Sequence, residues 1–103
     1  MSERFKLAEP KSAWEKWFVE VDVAKWLGEE TIASVEFLAK SDSGEDVTAT
    51  LLDAAKNTWS GSLVKPYVRA GTSGNRYFIL LRVTSSGQNY REFVVELLVK
   101  DTP

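Results

Sequence analysis

The chain contains no cysteine and no histidine. Without cysteine there is no disulfide framework, no thiolate metal site and no thiol nucleophile. Without histidine the commonest general base and the commonest neutral metal ligand are both missing. No apolar run approaches the ~20 residues that a membrane-spanning helix requires. The opening MSERFKLAEP lacks the apolar core of a secretory signal, so the sequence reads as that of a soluble protein made in a cytoplasm and not exported by an N-terminal signal. Basic excess is missing as well. With 13 Lys and Arg against 15 Asp and Glu, the formal charge is −2, which offers no field for a nucleic-acid backbone.

What is present is ordinary for one soluble domain. The 103 residues are 44% hydrophobic and 27% charged, with both signs interspersed. A chain of this length buries over ~60% of its unfolded surface, enough for a core without metals or disulfides. Residues 1–13 are polar apart from Phe5 and Leu7 and are broken by Pro10, so they read as an N-terminal arm. Residues 14–103 then form the single domain.

Periodicity gives the domain its class. Two patterns compete over residues 12–27. Ser12 and Glu15 have the spacing of a capping box, and Trp14, Trp17, Phe18, Val21 and Ala24 would line a helix ending at Gly28. Trp17, Val19, Val21 and Val23 instead alternate with Phe18, Glu20 and Asp22, and three β-branched valines at alternate positions favour a strand. A second strand over residues 31–40 places Ala33, Val35 and Phe37 on one face. KSDSGED (40–46) is a turn, and residues 47–52 give a third strand, with Val47, Ala49 and Leu51 opposite Thr48 and Thr50. Residues 53–57 suggest one helical turn, and 58–68 a strand weakened by Gly61 and Pro66.

The C-terminal half is the plainest. After the turn AGTSGN, Tyr77, Ile79, Leu81 and Val83 share a face. After SSGQN, Phe93, Val95, Leu97 and Val99 return along it. Short strands separated by regular turns predict an all-β protein, an antiparallel immunoglobulin-like β-sandwich of about seven strands. Tyr77 stands where a tyrosine corner would, at the head of a strand after a glycine-rich bend; an ordinary half-buried tyrosine fits the same place.

Catalytic parts are scarce. There is no G-x-S-x-G elbow, no phosphate-cradling loop and no metalloprotease motif, so no catalytic residue, metal or cofactor is expected. Glu29 and Glu30 are neighbours at a turn, where carboxylates usually face solvent rather than converge on a substrate. Asp42, Glu45 and Asp46 could be a calcium turn but lack EF-hand spacing. Trp14 and Trp59 sit at less periodic positions and could stack a ligand such as a glycan. A different signal lies on the far face of the last two strands. Phe78, Leu80, Val94 and Leu98 put apolar side chains where a sandwich normally shows polar ones. Such a face is either a partner contact or a surface covered by Phe5 and Leu7 of the arm.

VDVAKWLGEETIASVEF resembles the signature of small phage and prophage proteins called fiber–tail adaptors. Asp22, Trp26, Leu27, Gly28, Thr31, Ile32, Ala33, Ser34 and Val35 match it. Glu30 replaces the usual Asp, and Phe37 a common Trp. AGTSGNRYFILLRVTSSGQNYREFVVELLV is similar to the family's final strands, while residues 40–65 match poorly. The resemblance implies an Ig-like virion protein at the tail, assembled in the bacterial cytoplasm and then carried in the particle. Its partners would be other phage structural proteins or further copies of itself, with no nucleic acid, no membrane and no catalysis. A glycan-binding Ig-like module is the alternative.

Overall fold

The computed structural model describes the backbone of residues 2–6 and all of residues 11–100. The protein is mostly β, and its largest sheet is built on the hairpin that the sequence marks most clearly. Strand β8 (Arg76–Ser85) pairs antiparallel with β9 (Tyr90–Leu98), from Arg76 opposite Leu98 to Thr84 opposite Tyr90. Strand β4 (Ile32–Ser41) lies antiparallel on the other side of β8, and β1 (Ser2–Lys6) runs parallel to β9. The order is β1-β9-β8-β4. The segment expected to be an arm thus enters the sheet beside β9, and the cover expected from the Phe5 and Leu7 side chains lies outside the described residues.

The second layer is one ladder interrupted by a proline. β2 (Trp17–Phe18) pairs with β7 (Tyr67–Val68), and β3 (Val21–Asp22) pairs with β6 (Leu63–Lys65). Between them the register does not slip: Trp17 faces Val68, Phe18 faces Tyr67, Val21 faces Val64 and Asp22 faces Leu63. Pro66 has no N–H to give, so regular pairing lapses there. Its carbonyl still accepts from Val19 N–H at 2.9 Å. β5 (Thr58–Ser60) folds back on β6 through Gly61 at φ +60°. Among the described residues, β2–β3 and β6–β7 are thus consecutive pieces of two runs that stay in one register.

Two stripes of side chains meet between the layers. Val19, Val21, Val23, Val64 and Val68 come from one layer. Ala39, Ile79, Leu81, Val83, Phe93, Val95 and Leu97 come from the other, and all are buried in a single cluster. The expected inward sets of β8 and β9 are the core.

Three local expectations change. The interruption after Val23 is a corner made by one helical turn, α1 (Ala24–Leu27), so strand and helix each hold part of residues 12–27. Asp22 starts it by accepting from Ala24 N–H at 2.9 Å, and Gly28 at φ +61° ends it. Ser12 and Glu15 do exchange their capping-box hydrogen bonds, but no helix follows them. Second, a register shift between Ile32 and Ser34 turns Ala33 outward, and Ile32 packs against the core in its place. Third, residues 47–52 are not a strand but contain the helical turn α2 (Thr48–Leu51). Alternation would have put Leu51 and Leu52 on opposite faces, yet both are 1% exposed. The chain crosses here from the edge of β4 to that of β7, where Leu52 bridges Val68, and a helical turn delivers both leucines to the core. Residues 53–57 make a single turn, as expected, closed by Asn57 N–H on the Asp53 carbonyl at 3.0 Å.

At the other end, Tyr77 is buried and its Oη accepts from Thr72 N–H at 2.9 Å, the upstream tie expected of a tyrosine corner. Gly71 beside it has φ +96°, and a Cβ there would stand 2.8 Å from Val99 Cγ2. Lys11, assigned to the arm from sequence, is fully buried. Its Nζ donates to the carbonyls of Ala70 at 2.5 Å and Ser12 at 2.7 Å, and its backbone bridges Val99. Gly71→Ala combines a strained φ with overpacking and should cost about 2 kcal/mol or more in urea denaturation. Tyr77→Phe leaves the Thr72 N–H without its partner and should cost about 1–2 kcal/mol in the same measurement.

Candidate functional site

The outer face of the large sheet brings most of the expected patch together. Leu80 faces Val94 across β8 and β9, Phe78 faces Glu96, and Leu98 faces Arg76. Phe78 and Leu80 are half-buried, Val94 is only 7% exposed and Leu98 is 38% exposed. Sequence reasoning missed Leu38, which stands opposite Leu80 on β4 and extends the apolar row across three strands. The signal was available, since Leu38 takes the opposite parity from Val35 and Phe37.

Charged pairs frame this row. At one end Arg82 Nε meets Glu92 at 3.0 Å and its Nη1 meets Glu36 at 3.4 Å; at the other, Arg76 Nε meets Glu96 at 3.0 Å. Exposed pairs of this kind add little stability, but they fix where each sign of charge stands around the apolar centre.

The tryptophans do not form a platform. Trp14 is 87% exposed beside Ala13, Lys16 and Ala70, whereas Trp59, at 37%, lines a separate groove with Leu27, Gly28 and Ile32. Trp17 and Trp26 pack against the core, Trp26 meeting the Phe93 ring edge-on at 5.8 Å.

The acidic candidates also separate. Asp46 accepts from both the N–H and the hydroxyl of Thr48, and among the described residues no acidic cluster could hold a metal ion. Glu29 is exposed, whereas Glu30 reaches the β8–β9 turn. There its carboxylate accepts from the Ser85 hydroxyl, from Gly87 N–H at 3.2 Å and from Asn89 Nδ2 at 3.2 Å. Beside it Thr31 N–H donates to Ser86 Oγ, and Ser86 N–H returns to the Thr31 carbonyl. A Cβ on Gly87 would stand 2.7 Å from Glu30 Oε1, so this glycine makes room for the carboxylate. The W-L-G-E-E-T signature is therefore a clamp joining the first corner to the last hairpin.

The Ser85 hydrogen bond, then that of Asn89 and the Gly87 amide, outweigh the burial that would raise it and hold the Glu30 carboxyl below its ordinary value of 4.5. A depressed acid contributes stability above that ordinary value and loses it as pH falls through the lower folded value. Glu30→Gln should therefore melt below the wild type at neutral pH, and the gap should close on acidification below about pH 4.5. Melting curves across that range check it, and a gap independent of pH would assign the clamp to shape rather than charge.

No match to a curated protein was found. A family described as podophage GP4 fiber-tail adaptor protein gp77 matches residues 11–99. Those limits fall on Lys11 and Val99, the two residues that bridge each other where the N-terminal segment joins the large sheet. The match spans the corner, the clamp, both layers and the middle segment, and the chain belongs to this family of podophage fiber-tail adaptors.

Proposed function

We propose that this chain is a non-enzymatic structural adaptor of a phage or prophage particle, at or connected to the tail, that works by docking other phage structural proteins. The observation that carries the reading is its membership, across nearly all its described residues, of the fiber-tail adaptor family. The chain would assemble in the bacterial cytoplasm and then travel in the virion. A scaffold of short loops and one well-packed core suits this task, because assembly needs rigid shape and repeated contacts rather than tuned titration. Repetition in a symmetric particle multiplies modest contacts into firm attachment.

The fold reading goes with it. We take residues 14–103 as one Ig-like domain, with residues 1–13 an arm that docks on it through the pairing of β1 with β9 and through Lys11. In support, the order β1-β9-β8-β4 in one layer and β3-β6-β5 in the other corresponds to the strand order of an immunoglobulin sandwich with a short leading strand beside the last. Docking would use strand edges or the outer face carrying Phe78, Leu80, Val94 and Leu98, whether towards other virion proteins or further copies of this chain. Exposure of Trp14 at 87% favours one competing reading, an Ig-like glycan-binding module using Trp14 or Trp59.

Purified particles carrying Leu80→Glu or Leu98→Glu should incorporate several-fold less of this protein by quantitative mass spectrometry, with melting temperatures close to wild type. Repeated absence of the wild-type protein from particles would overturn the adaptor reading. A change in tryptophan fluorescence on a glycan panel, lost in Trp14→Ala, would favour the binding module instead.

A further inference from the structure

β4 is the last strand of its sheet, and its outer edge is only partly occupied. Ala39 shows which groups face outward: its N–H donates to Thr48 Oγ1 at 2.9 Å and its carbonyl accepts from Val47 N–H at 2.9 Å. Ser41 N–H likewise donates outward to the Glu45 carbonyl at 2.8 Å. Pairing of β4 with β8 is unbroken from Ser34 to Ser41, and an antiparallel strand sends the backbone groups of alternate residues to alternate sides. The N–H and C=O of Val35 and Phe37 therefore point away from β8 too, and among the described residues nothing pairs with them.

Residues 45–47 start a strand antiparallel to β4, with Lys40 bridging Asp46, and then leave it at Thr48 for α2. Had the strand alternation of residues 47–52 been realised, it would have run on past Phe37 and Val35. Among the described residues nothing else takes up that track. Beside it an open groove of about 580 Å³ is lined by Phe37, Val47, Thr50, Leu52, Asn57 and Arg69.

We propose that this edge accepts an extended strand from another virion protein, antiparallel to β4 and continuing the track that residues 45–47 begin. The inference rests on the adaptor reading and specifies one contact within it. Main-chain hydrogen bonds to Val35 and Phe37 would supply affinity, and side chains at alternate positions would supply choice. Residues opposite Val35 and Phe37 share the inward side with those half-buried side chains, so they are apolar. The residue between them stands on the outer side opposite Glu36, whose side chain is 60% exposed, so it is basic. The same charge argues against a second copy: symmetric pairing over residues 35–37 centres on Glu36 and sets two carboxylates directly opposite.

Val35→Pro removes an outward N–H and no bond to β8, a place where an edge strand tolerates proline. Glu36→Lys reverses the charge that selects the partner. The probes are the purified fibre and tail proteins encoded with this chain, with circular dichroism confirming that each variant is folded. Binding to one of them should protect the Val35 and Phe37 amides from hydrogen exchange; Val35→Pro should weaken it roughly tenfold, the worth of one main-chain hydrogen bond, and Glu36→Lys should weaken it by setting like charges opposite each other. Undiminished binding by Val35→Pro, or amides that exchange as fast in the complex as alone, overturns the edge site. If Val35→Pro does not fold, Glu36→Lys and the exchange pattern decide. Binding lost on Leu80→Glu but kept by both edge variants leaves the adaptor reading standing and removes this inference. No binding to either protein removes both. A concentration-dependent dimer abolished by Val35→Pro would replace the partner strand with a second copy.

Discussion

Everything in this molecule hangs on two facing stripes of aliphatic side chains. The valines of β2–β3 and β6–β7 lie against the Ile, Leu, Val and Phe of β8 and β9, and no disulfide assists them. Burying each such side chain is worth about 1.5–3 kcal/mol relative to leaving it exposed, set against the cost of ordering the chain. The longer stripe sits on an uninterrupted hairpin, whereas the shorter one rides on pieces of two or three residues. The hairpin can therefore be regarded as the template, and the broken strands as the layer that it organises.

Because the second layer has so few regular pairs, its ends are pinned by side chains and corners. Glu30 ties the first corner to the last turn, Tyr77 ties the bend at residues 70–75 to its strand, and Lys11 threads an ammonium between two carbonyls. Each is a polar group satisfying backbone or hydroxyl partners where the sheet ladder cannot. Such ties stand at the ends of the sheets, where the ladders stop, and not on their faces.

Wherever one face of a strand is buried and the other is wet, the pattern was legible. The inward residues of β8 and β9, the corner at Gly28 and the tie of Tyr77 all follow from alternation and turn chemistry. Residues 47–52 were not legible, because Val47, Thr48, Thr50 and Leu51 satisfy a strand locally while the crossing between sheets needs consecutive Leu51 and Leu52 inside. Lys11 was hidden for a different reason: a lysine in a polar segment gives no sign that carbonyls will surround it. The outer patch was read in outline, and parity alone would have added Leu38, but only the packing shows how little of Val94 meets solvent. The family resemblance supplied what composition could not, namely a setting in a phage particle.

The parallel run of β1 beside β9, continued by the bridge from Lys11 to Val99, bears on how the molecule carries load. Opposed pulls on the leading end of β1 and the trailing end of β9 act along the strands, in shear. The cross-strand hydrogen bonds then share the force and must yield together rather than opening one at a time from an end. A small domain without disulfides is thereby held against pulling along that axis by a whole ladder of hydrogen bonds rather than by its weakest single one.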